Sequence, residues 1–575
     1  MKHSLAGLIF LAAAAAACNN SAPHTEAAPF NVVEATIPEM QKAMLDGRTS
    51  SRHLVEQYLQ RIALYNDKFN ALITVNPKAL DEADRLDQER KAGKTRGPLH
   101  GIPIALKDNV LTADIRTTGG AIAFEHLIPP YDATLTKNLR DAGAVIIAKT
   151  TLSELANFVA AGMPGNYNAV AGYALNPYDP RRDPRQATGD GRGVLNTGGS
   201  SSGAGTAANF WAANVGTETS GSILSPSNQN MLAGIKPTVG RISRYGVIPI
   251  TADQDTAGPM AKSVTDAAIL FGALEGAAPD PNDPATKTCQ APPNRDYTAF
   301  LKRDGLKGAR IGVPRANYYD KITLPGEKEP RGGLNEAQAK SMAEAIEVLK
   351  KEGAIVVDAD IPSVVDQDPK NNLLLWGSCS GPNDVRGKDL KCSYALKYGM
   401  KRDFNIFLAS LGAAAPVKTL AELRAFNTAH ANRNAIKYGQ ANLDVSDEMD
   451  IEKDRARWQA DRENDIRLAA THGIDEVLKA QKLDALLFPG ASGAGIAAKP
   501  GYPTVIVPFG LFVPMPPVAG GPGPAPAPYP DGYTLAPAPY GVSFTGTACS
   551  EPRLIELAFA FEQATKRRVP PPSAP

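Results

Sequence analysis

The sequence has little of what metal sites, nucleic-acid surfaces and membrane spans require. Its seven histidines are scattered and its five cysteines lack metal-ligand spacing, so neither a metal nor any other cofactor is implied. Sixty-one basic residues balance sixty acidic ones to a formal charge of +1, and the basic cluster near the end, Lys566-Arg567-Arg568, is short. Nothing here indicates nucleic acid or an anionic membrane surface as a partner.

The N-terminus has the layout of a bacterial export signal. A positively charged start precedes an apolar core over residues 5–17 that is too short to span a membrane, and Ala15-Ala16-Ala17-Cys18 resembles a lipobox. We predict a signal peptide over 1–17, lipidation of Cys18 and a flexible tether over 18–35. The product would be a lipoprotein on the periplasmic side of the outer membrane, with the lipid as its membrane contact. An ordinary cleaved signal would instead give a soluble periplasmic protein.

Three segments suit acyl transfer without histidine. Lys107 ends an apolar, strand-like run, where desolvation favours the neutral amine, which is a base. Residues 198–203 (GGSSSG) and 216–223 (GTETSGSI) are loops whose small residues let backbone N–H groups approach a bound carbonyl. The Ala-rich stretch between them, 204–215, is predicted to be a buried helix. Taken singly, a Gly/Ser loop is usually a linker and a lysine at a strand end usually a surface charge. Their combination favours a catalytic site.

These residues carry a resemblance to the amidase signature family of serine hydrolases, with Lys107, Ser200 and Ser222 at the positions of its Ser-Ser-Lys triad. Glu218 and Gln254 resemble the bacterial peptide amidase branch of that family. Further family motifs occur along nearly the whole chain, including Pro98-Leu99-His100-Gly101, Gly234-Ile235-Lys236-Pro237-Thr238, Asp255-Thr256-Ala257-Gly258-Pro259 and Ser543-Phe544-Thr545-Gly546.

The resemblance implies an α/β fold with a mixed central β-sheet covered by helices on both faces, in a single large domain over 36–570. It also implies that Ser222 attacks an amide carbonyl while Ser200 passes the proton to neutral Lys107. The oxyanion would be held by four backbone N–H groups, those of Thr219, Ser220, Gly221 and Ser222. The substrates would be small-molecule or peptide amides.

The stretch between Ser200 and Ser222 is two residues shorter than the family usually has. Counting back from Ser222 by the usual spacing reaches a glycine, so the motif itself sets the register and selects Ser200. Ser201 and Ser202 remain alternatives for the bridging role.

A rival interpretation is an α/β-hydrolase esterase. Residues 199–203 also fit the nucleophile elbow G-x-S-x-G, with Ser201 as nucleophile and His430 or His472 as base. An elbow must follow a buried strand, and residues 190–197 are not predicted to form one. Both histidines lie in polar, helix-like stretches typical of solvated histidine.

Two other functional classes fit the sequence less well. The A subunit of a tRNA amidotransferase conflicts with an export signal, because its tRNA partner is cytoplasmic. A non-catalytic binding protein with the amidase fold would be expected to have lost a triad residue, and Lys107, Ser200 and Ser222 are all present. We therefore predict an amidase acting on peptide amides or small primary amides; its oligomeric state is not predicted.

Four cysteines follow Cys18 in the sequence, and an oxidising compartment permits three pairings among them. The pair closest in sequence, Cys379 and Cys392, is favoured over pairings that involve Cys289 or Cys549.

Apolar spacing predicts the main elements. Residues 511–540, rich in Pro and Gly, replace a normally short connection and are predicted to be a long loop near the site. Helices are predicted over 38–65, 77–92, 335–352, 419–439, 448–481 and 551–567, and buried strands over 102–107, 144–148, 310–313 and 354–357.

Overall fold

The computed structural model describes residues 30–185, 190–199, 202–513 and 527–575. A mixed sheet of eleven strands forms the centre of one large α/β domain, with helices on both faces, which confirms the predicted fold class. The strands are β1 (Leu72–Val75), β2 (Pro103–Lys107), β3 (Val145–Thr150), β4 (Ala213–Glu218), β5 (Ala233–Lys236), β6 (Thr256–Ala261), β7 (Arg310–Val313), β8 (Ile355–Asp358), β9 (Ala485–Pro489), β10 (Thr504–Phe512) and β11 (Ala538–Thr545).

The strand order across the sheet is β1-β3-β2-β4-β6-β5-β10-β11-β9-β7-β8. β2 pairs in parallel with β3 and with β4, whereas the strands from β4 to β9 in this order alternate in direction. Every residue of β2, β3 and β4 is buried. The C-terminal ends of these three strands therefore meet at one edge of a fully covered part of the sheet.

The helices pack on this sheet, and polar caps begin several of them. Thr36 and Glu39 form a capping box before the first helix, and Ser50 caps the second. In the described ranges the α-helices are α1 (Ile37–Leu45), α2 (Ser51–Phe69), α3 (Ala79–Lys91), α4 (Thr134–Asp141), α5 (Ser202–Ala207), α6 (Leu224–Gln229), α7 (Val264–Leu274), α8 (Glu336–Lys351), α9 (Pro362–Val365), α10 (Ala395–Ser410), α11 (Leu420–Ala429), α12 (Ala441–Asp447), α13 (Arg455–Ile466), α14 (Asp475–Gln481), α15 (Ala494–Ala498) and α16 (Glu551–Thr565).

The buried helix predicted over 204–215 is wrong. α5 ends at Ala207, and the chain then turns and enters β4. Asn209 has a left-handed backbone with φ 57°, and the Trp211 ring packs so closely on Gly205 that a Cβ there would lie 2.2 Å from it. A short apolar run looks the same in a buried helix and a buried strand, so periodicity could not separate the two.

Three other predicted helices are interrupted or shorter. The helix over 38–65 is two helices, α1 and α2, separated by a turn at Gly47, where φ is 70°. The helix over 419–439 ends with α11, and the one over 448–481 begins only at α13 and passes through a π-helical segment, Arg467–Ile474. The remaining predicted helices and all four predicted strands are present, with ends shifted by at most two residues. The prediction that the strand over 354–357 is buried is wrong, because β8 is an edge strand of the sheet and Ile355 is 46% exposed.

Both cysteine pairs after Cys18 are disulfide-bonded. The Cys379–Cys392 bridge, with a Cα–Cα distance of 5.0 Å, confirms the favoured pairing. The second bridge, Cys289–Cys549, has a Cα–Cα distance of 5.5 Å and joins residues 260 apart in sequence. It ties the loop after α7 to the turn before α16.

The ends of the domain extend beyond the predicted 36–570. Val32, assigned to the tether from the sequence, is buried, and Glu34 forms an ion pair of 2.8 Å with Arg568. At the other end, Arg61 donates to the backbone oxygen of Ala574 at 2.9 Å. The predicted signal peptide and Cys18 lie outside the described residues. Within the described ranges, no helix is long and apolar enough to cross a membrane.

Of the predicted loop over 511–540, residues 511–512 and 538–540 belong to β10 and β11, which pair antiparallel. Residues 514–526 lie outside the described ranges. On the returning side, Tyr529 and Tyr533 stack on each other, and Arg185 and Arg181 lie over their rings at 4.3 and 4.6 Å from the centroids. These contacts dock the described part of the insertion on the segment that leads towards the glycine loop at 198–203.

Candidate active site

Lys107 is the last residue of β2 and is fully buried. Its Nζ lies 2.9 Å from the hydroxyl and 3.1 Å from the backbone oxygen of Thr217 on the adjacent strand. Among the described residues it forms no ion pair. Burial lowers the pKa of Lys107 to about 7, although the charges of Asp255 and Glu218 oppose this shift. Near neutral pH a large fraction of this lysine is therefore the neutral amine.

Lys149 on the neighbouring strand β3 shows how an ion pair changes a buried lysine. It is equally inaccessible to solvent, but its Nζ lies 3.1 Å from the Asp108 carboxylate and 2.6 Å from the Thr117 hydroxyl. The charge of Asp108 favours the charged form of Lys149, against the desolvation that lowers its pKa. Lys107, whose direct contacts are a hydroxyl and a carbonyl, is the better general base of the two.

Ser222 lies in the turn between β4 and α6 and is partly exposed. Gly221 before it has a left-handed backbone with φ 93°. The Glu218 carboxylate accepts hydrogen bonds from the backbone N–H groups of Ile223 at 2.8 Å and Leu224 at 3.0 Å. These bonds join the end of β4 to the start of α6, on either side of the turn. This arrangement holds the turn closed around the serine.

The glycine loop lies directly against this turn. A Cβ on Gly199 would lie 2.5 Å from Ser222 Oγ, and a Cβ on Gly198, whose φ is 80°, would lie 2.5 Å from the backbone nitrogen of Pro226. Side chains at these two positions would collide with Ser222 and with Pro226 of α6, so the approach requires glycine. The structure thus brings the described end of the loop to Ser222.

Two predicted site residues cannot be located in the same way. Ser200, the predicted bridge, and Ser201, the nucleophile of the esterase alternative, lie outside the described residues. Ser202, the second alternative for the bridge, is the first residue of α5 and is buried. The role of Ser200 therefore stays a prediction, supported by the position of Gly199 beside Ser222.

The topology places Lys107 and Ser222 at the same end of the sheet. β2 and β4 are parallel neighbours, and Leu106 is in register with Val215. Lys107 closes the first strand, and the turn that carries Ser222 follows the second. Thr217, which contacts Lys107, lies one residue before Glu218, which spans that turn.

The predicted oxyanion residues, Thr219 to Ser222, form this same turn. The Thr219 hydroxyl donates to the Asp255 carboxylate at 2.5 Å, and the backbone oxygen of Thr219 accepts from the Gln254 side chain at 3.2 Å. Burial raises the pKa of Asp255 to about 7. The turn is therefore held at its Thr219 end as well as by Glu218.

Three residues that support the site received no role from the sequence. Asn109 donates to the Thr217 hydroxyl at 3.0 Å, and Gln254 and Asp255 hold Thr219. The available signal was proximity to a motif, because Asn109 follows the lysine by two residues and Asp255 opens a family motif. Their contacts with β4 and its turn depend on strand packing, which a linear motif does not reveal.

Two cavities adjoin these residues. One, of about 10 Å³, is lined by Asn109, Thr217, Thr219 and Asp255, and has room for about one water molecule. The other, of about 400 Å³, runs along α6, and within its described lining no side chain is charged. The polar side chains that line it carry hydroxyls and carboxamides, and they are Ser225, Asn228, Gln229, Asn317, Tyr318, Gln338, Ser492 and Tyr540.

The histidines of the esterase alternative make other contacts. Both ring nitrogens of His472 lie 2.9 Å from carboxylates, those of Asp366 and Glu476. His430 Nδ1 lies 2.8 Å from the backbone oxygen of Phe426, on whose ring the imidazole stacks. His472 therefore has no ring nitrogen available for a serine in this arrangement. In the described ranges no group of His, Cys, Asp and Glu could hold a metal ion.

Comparison with known proteins agrees with this geometry. The family model Amidase matches residues 53–555. The chain is 34% identical to a protein named probable amidase from Arabidopsis thaliana, over 94% of this chain and 92% of that protein. It is 30% identical to the A subunit of glutamyl-tRNA(Gln) amidotransferase from Synechococcus sp. (strain WH7803), covering 92% and 96% of the two chains. Its structure is similar to native peptide amidase from Stenotrophomonas maltophilia, with a TM-score of 0.76, 35% identity, and coverage of 94% of this chain and 99% of that one.

Proposed function

The chain belongs to the amidase family and hydrolyses carbon–nitrogen bonds of amides, and we propose that it does so through an acyl-enzyme on Ser222, with Ser200 and Lys107 as the proton relay. The observation that carries this proposal is the buried Lys107, which has a pKa of about 7 and lies at the same end of the sheet as a partly exposed serine. Glycine-only packing of Gly199 on Ser222 supports the relay, because it brings the loop that contains Ser200 to the nucleophile.

The reaction then proceeds in two halves. Neutral Lys107 accepts a proton from Ser200 while Ser200 accepts the proton of Ser222, and Ser222 Oγ attacks the carbonyl carbon. The backbone N–H groups of residues 219–222 stabilise the oxyanion. The C–N bond breaks as the proton returns through the relay to the leaving nitrogen. Water attacks the acyl ester with the same base, which releases the carboxylic acid and restores Ser222.

We propose that the substrates are neutral primary amides, including the C-terminal amides of peptides. The likeness to peptide amidase supports this class. The uncharged cavity of about 400 Å³ along α6 also supports it, because its volume lies in the range of small-ligand sites and its carboxamide and hydroxyl groups suit a neutral hydrogen-bonding ligand. Ser225, which lines this cavity, lies in the first turn of α6, three residues after Ser222.

The likeness to an amidotransferase subunit makes transfer of ammonia to another acceptor the second candidate. The two candidate functions, hydrolysis and ammonia transfer, predict different activities for the isolated chain. We expect the purified protein alone to release free ammonia from a peptide amide, whereas an amidotransferase subunit would need its partners. The export signal proposed for residues 1–17 favours the hydrolase, acting on the periplasmic side of a membrane to which the lipid on Cys18 holds it.

The test is Ser222→Ala assayed beside Ser227→Ala. Ser227 lies on α6, the helix that follows Ser222, and its hydroxyl donates to the backbone oxygen of Ile223, so the control loses a buried hydroxyl near the site. Ser222→Ala should lose ammonia release and labelling by a fluorophosphonate, and Ser227→Ala should keep both. Peptide mapping of the label to Ser201 instead would establish the esterase alternative.

A further inference from the structure

We propose that Gln254 and Asp255 are positioning residues of the acylation step. They fix, through hydrogen bonds to Thr219, one end of the turn formed by residues 219–222, which we call the oxyanion turn. This inference rests on the proposed function, because it concerns the same turn and the same reaction. Neither residue is placed in contact with substrate. They act through Thr219, whose side chain and backbone both bond to them.

Thr219 is held at two points by consecutive residues. Its hydroxyl donates to one carboxylate oxygen of Asp255 at 2.5 Å, and its carbonyl oxygen accepts from the carboxamide of Gln254 at 3.2 Å. Because a peptide plane is rigid, a bond to the Thr219 carbonyl also orients the N–H of Ser220 in that plane. The Ser220 N–H, one of the four predicted oxyanion donors, thus depends directly on this pair.

Asp255 is itself fixed by backbone groups. Its other carboxylate oxygen accepts the N–H groups of Ile250 at 2.8 Å and Thr251 at 3.0 Å. A carboxylate that accepts three hydrogen bonds in a buried place has little freedom to move, because each donor offsets part of its desolvation. Gln254 is also buried. The pair is therefore a rigid support for the turn.

The loop that carries the pair is anchored by two helices on its far side. Asp253 accepts a hydrogen bond from the Trp458 indole of α13 at 2.8 Å, and its backbone oxygen accepts from Arg462 at 3.0 Å. The backbone N–H of Ala252 donates to Asp403 of α10 at 2.7 Å. Loop 251–255 thus connects α10 and α13 to the oxyanion turn through direct hydrogen bonds.

Position matters here because oxyanion donors must lie about 2.7–3.1 Å from the charge that develops in the transition state. Removing one such donor typically costs about a hundredfold to a thousandfold in kcat, and a misplaced one costs less. The loss should fall on kcat and spare KM, since substrate binding in the ground state does not use these contacts.

The test compares Thr219→Val with Thr219→Ser. Valine removes the hydroxyl that donates to Asp255, whereas serine keeps it. We expect Thr219→Val to lower kcat about tenfold to a hundredfold with KM changed less than about threefold, and Thr219→Ser, which keeps the bond to Asp255, to recover most of that loss. A peptide aldehyde, whose adduct with Ser222 carries the oxyanion, should lose affinity for Thr219→Val by the same factor as kcat falls. Gln254→Met, which removes the other donor, should behave like Thr219→Val.

The matched control is Thr504→Val, which removes a buried threonine hydroxyl bond of 2.9 Å to Thr545 in another part of the sheet. It should lose comparable stability and keep the parent kcat. Equal kcat in Thr219→Val and the parent, or equal losses in Thr219→Val and Thr219→Ser, would overturn the positioning role. Activity retained in Ser222→Ala would instead overturn the proposed nucleophile, so the two failures are distinguishable.

Discussion

The lowered pKa of Lys107 predicts the pH dependence of the enzyme. Desolvation lowers this pKa from 10.5 to about 7. At pH 8 about nine-tenths of Lys107 is then neutral, against about 0.4% for an ordinary lysine with a pKa of ~10.4. Burial therefore increases the population of the base roughly two-hundredfold. Because the base form lies above the pKa, kcat/KM should rise with pH through about 7 and level off beyond it.

The assay is the pH profile of ammonia release from a peptide amide by the parent, Lys107→Met and Lys107→Arg. Methionine fills a similar volume without a proton-accepting group, and arginine stays charged throughout the range. Both variants should lose several orders of magnitude of activity, because the relay then has no base. An unfolded variant would give the same loss, so thermal unfolding of each variant is the accompanying control.

Asp255 is the competing source of an inflection near pH 7, since burial raises its pKa to about 7 and its ionised form also lies above that pH. Warming separates the two groups, because amine ionisation shifts strongly to lower pH with temperature whereas carboxylate ionisation scarcely moves. An inflection that ignores temperature, or near-parent activity in Lys107→Met, would refute the assignment of Lys107 as the base.

Three further outcomes are expected. Gly199→Ala should lower kcat at least about a hundredfold, because the added Cβ would lie 2.5 Å from Ser222 Oγ. The control Gly377→Ala should have the parent kcat, because no atom beyond its chain neighbours lies within 4 Å of the position of its Cβ. Equal kcat in the two variants would contradict the packing of Gly199 on Ser222. Replacing both cysteines of the Cys289–Cys549 bridge by serine should lower the free energy of unfolding, measured in urea, by about 3 kcal/mol more than the same change at Cys379–Cys392. The reason is that the first bridge closes a loop of 260 residues and the second a loop of 13. Equal losses at the two bridges would refute this ordering. Cys18→Ser should release the protein from membranes or block its processing, and a parent recovered as soluble periplasmic protein with an unmodified N-terminus would disprove the lipobox.

Four of the eleven strands could be predicted, and β2 and β3 were recognised because burial on both faces leaves a local signature. The run Ile102 to Leu106 is continuously apolar, which indicates a covered strand, and Lys107 at its end stands out as a charge that the strand would bury. The glycines at 198 and 199 were likewise visible as positions suited to close backbone approach. Such features depend on a few adjacent residues, so the linear chain reveals them.

The helix predicted over 204–215 shows where local patterns fail. An alanine-rich run is compatible with either a buried helix or a buried strand, and the packing of Trp211 on Gly205 ends the helix there. The bridge between Cys289 and Cys549 has no local signal of its own, because the two residues are 260 apart in sequence, and it follows only by elimination once Cys379 pairs with Cys392.

The candidate site divides in the same way. The residue types that suit acyl transfer, and their family resemblance, could be recognised in the sequence. The reason is that the predicted nucleophile, the predicted base and the glycine loop each lie within a short motif. The lowered pKa of Lys107 and the support of Thr219 by Gln254 and Asp255 arise only when distant segments pack together. Desolvation is a property of the surrounding protein, and a hydrogen bond between residues 36 apart depends on the path of the chain between them.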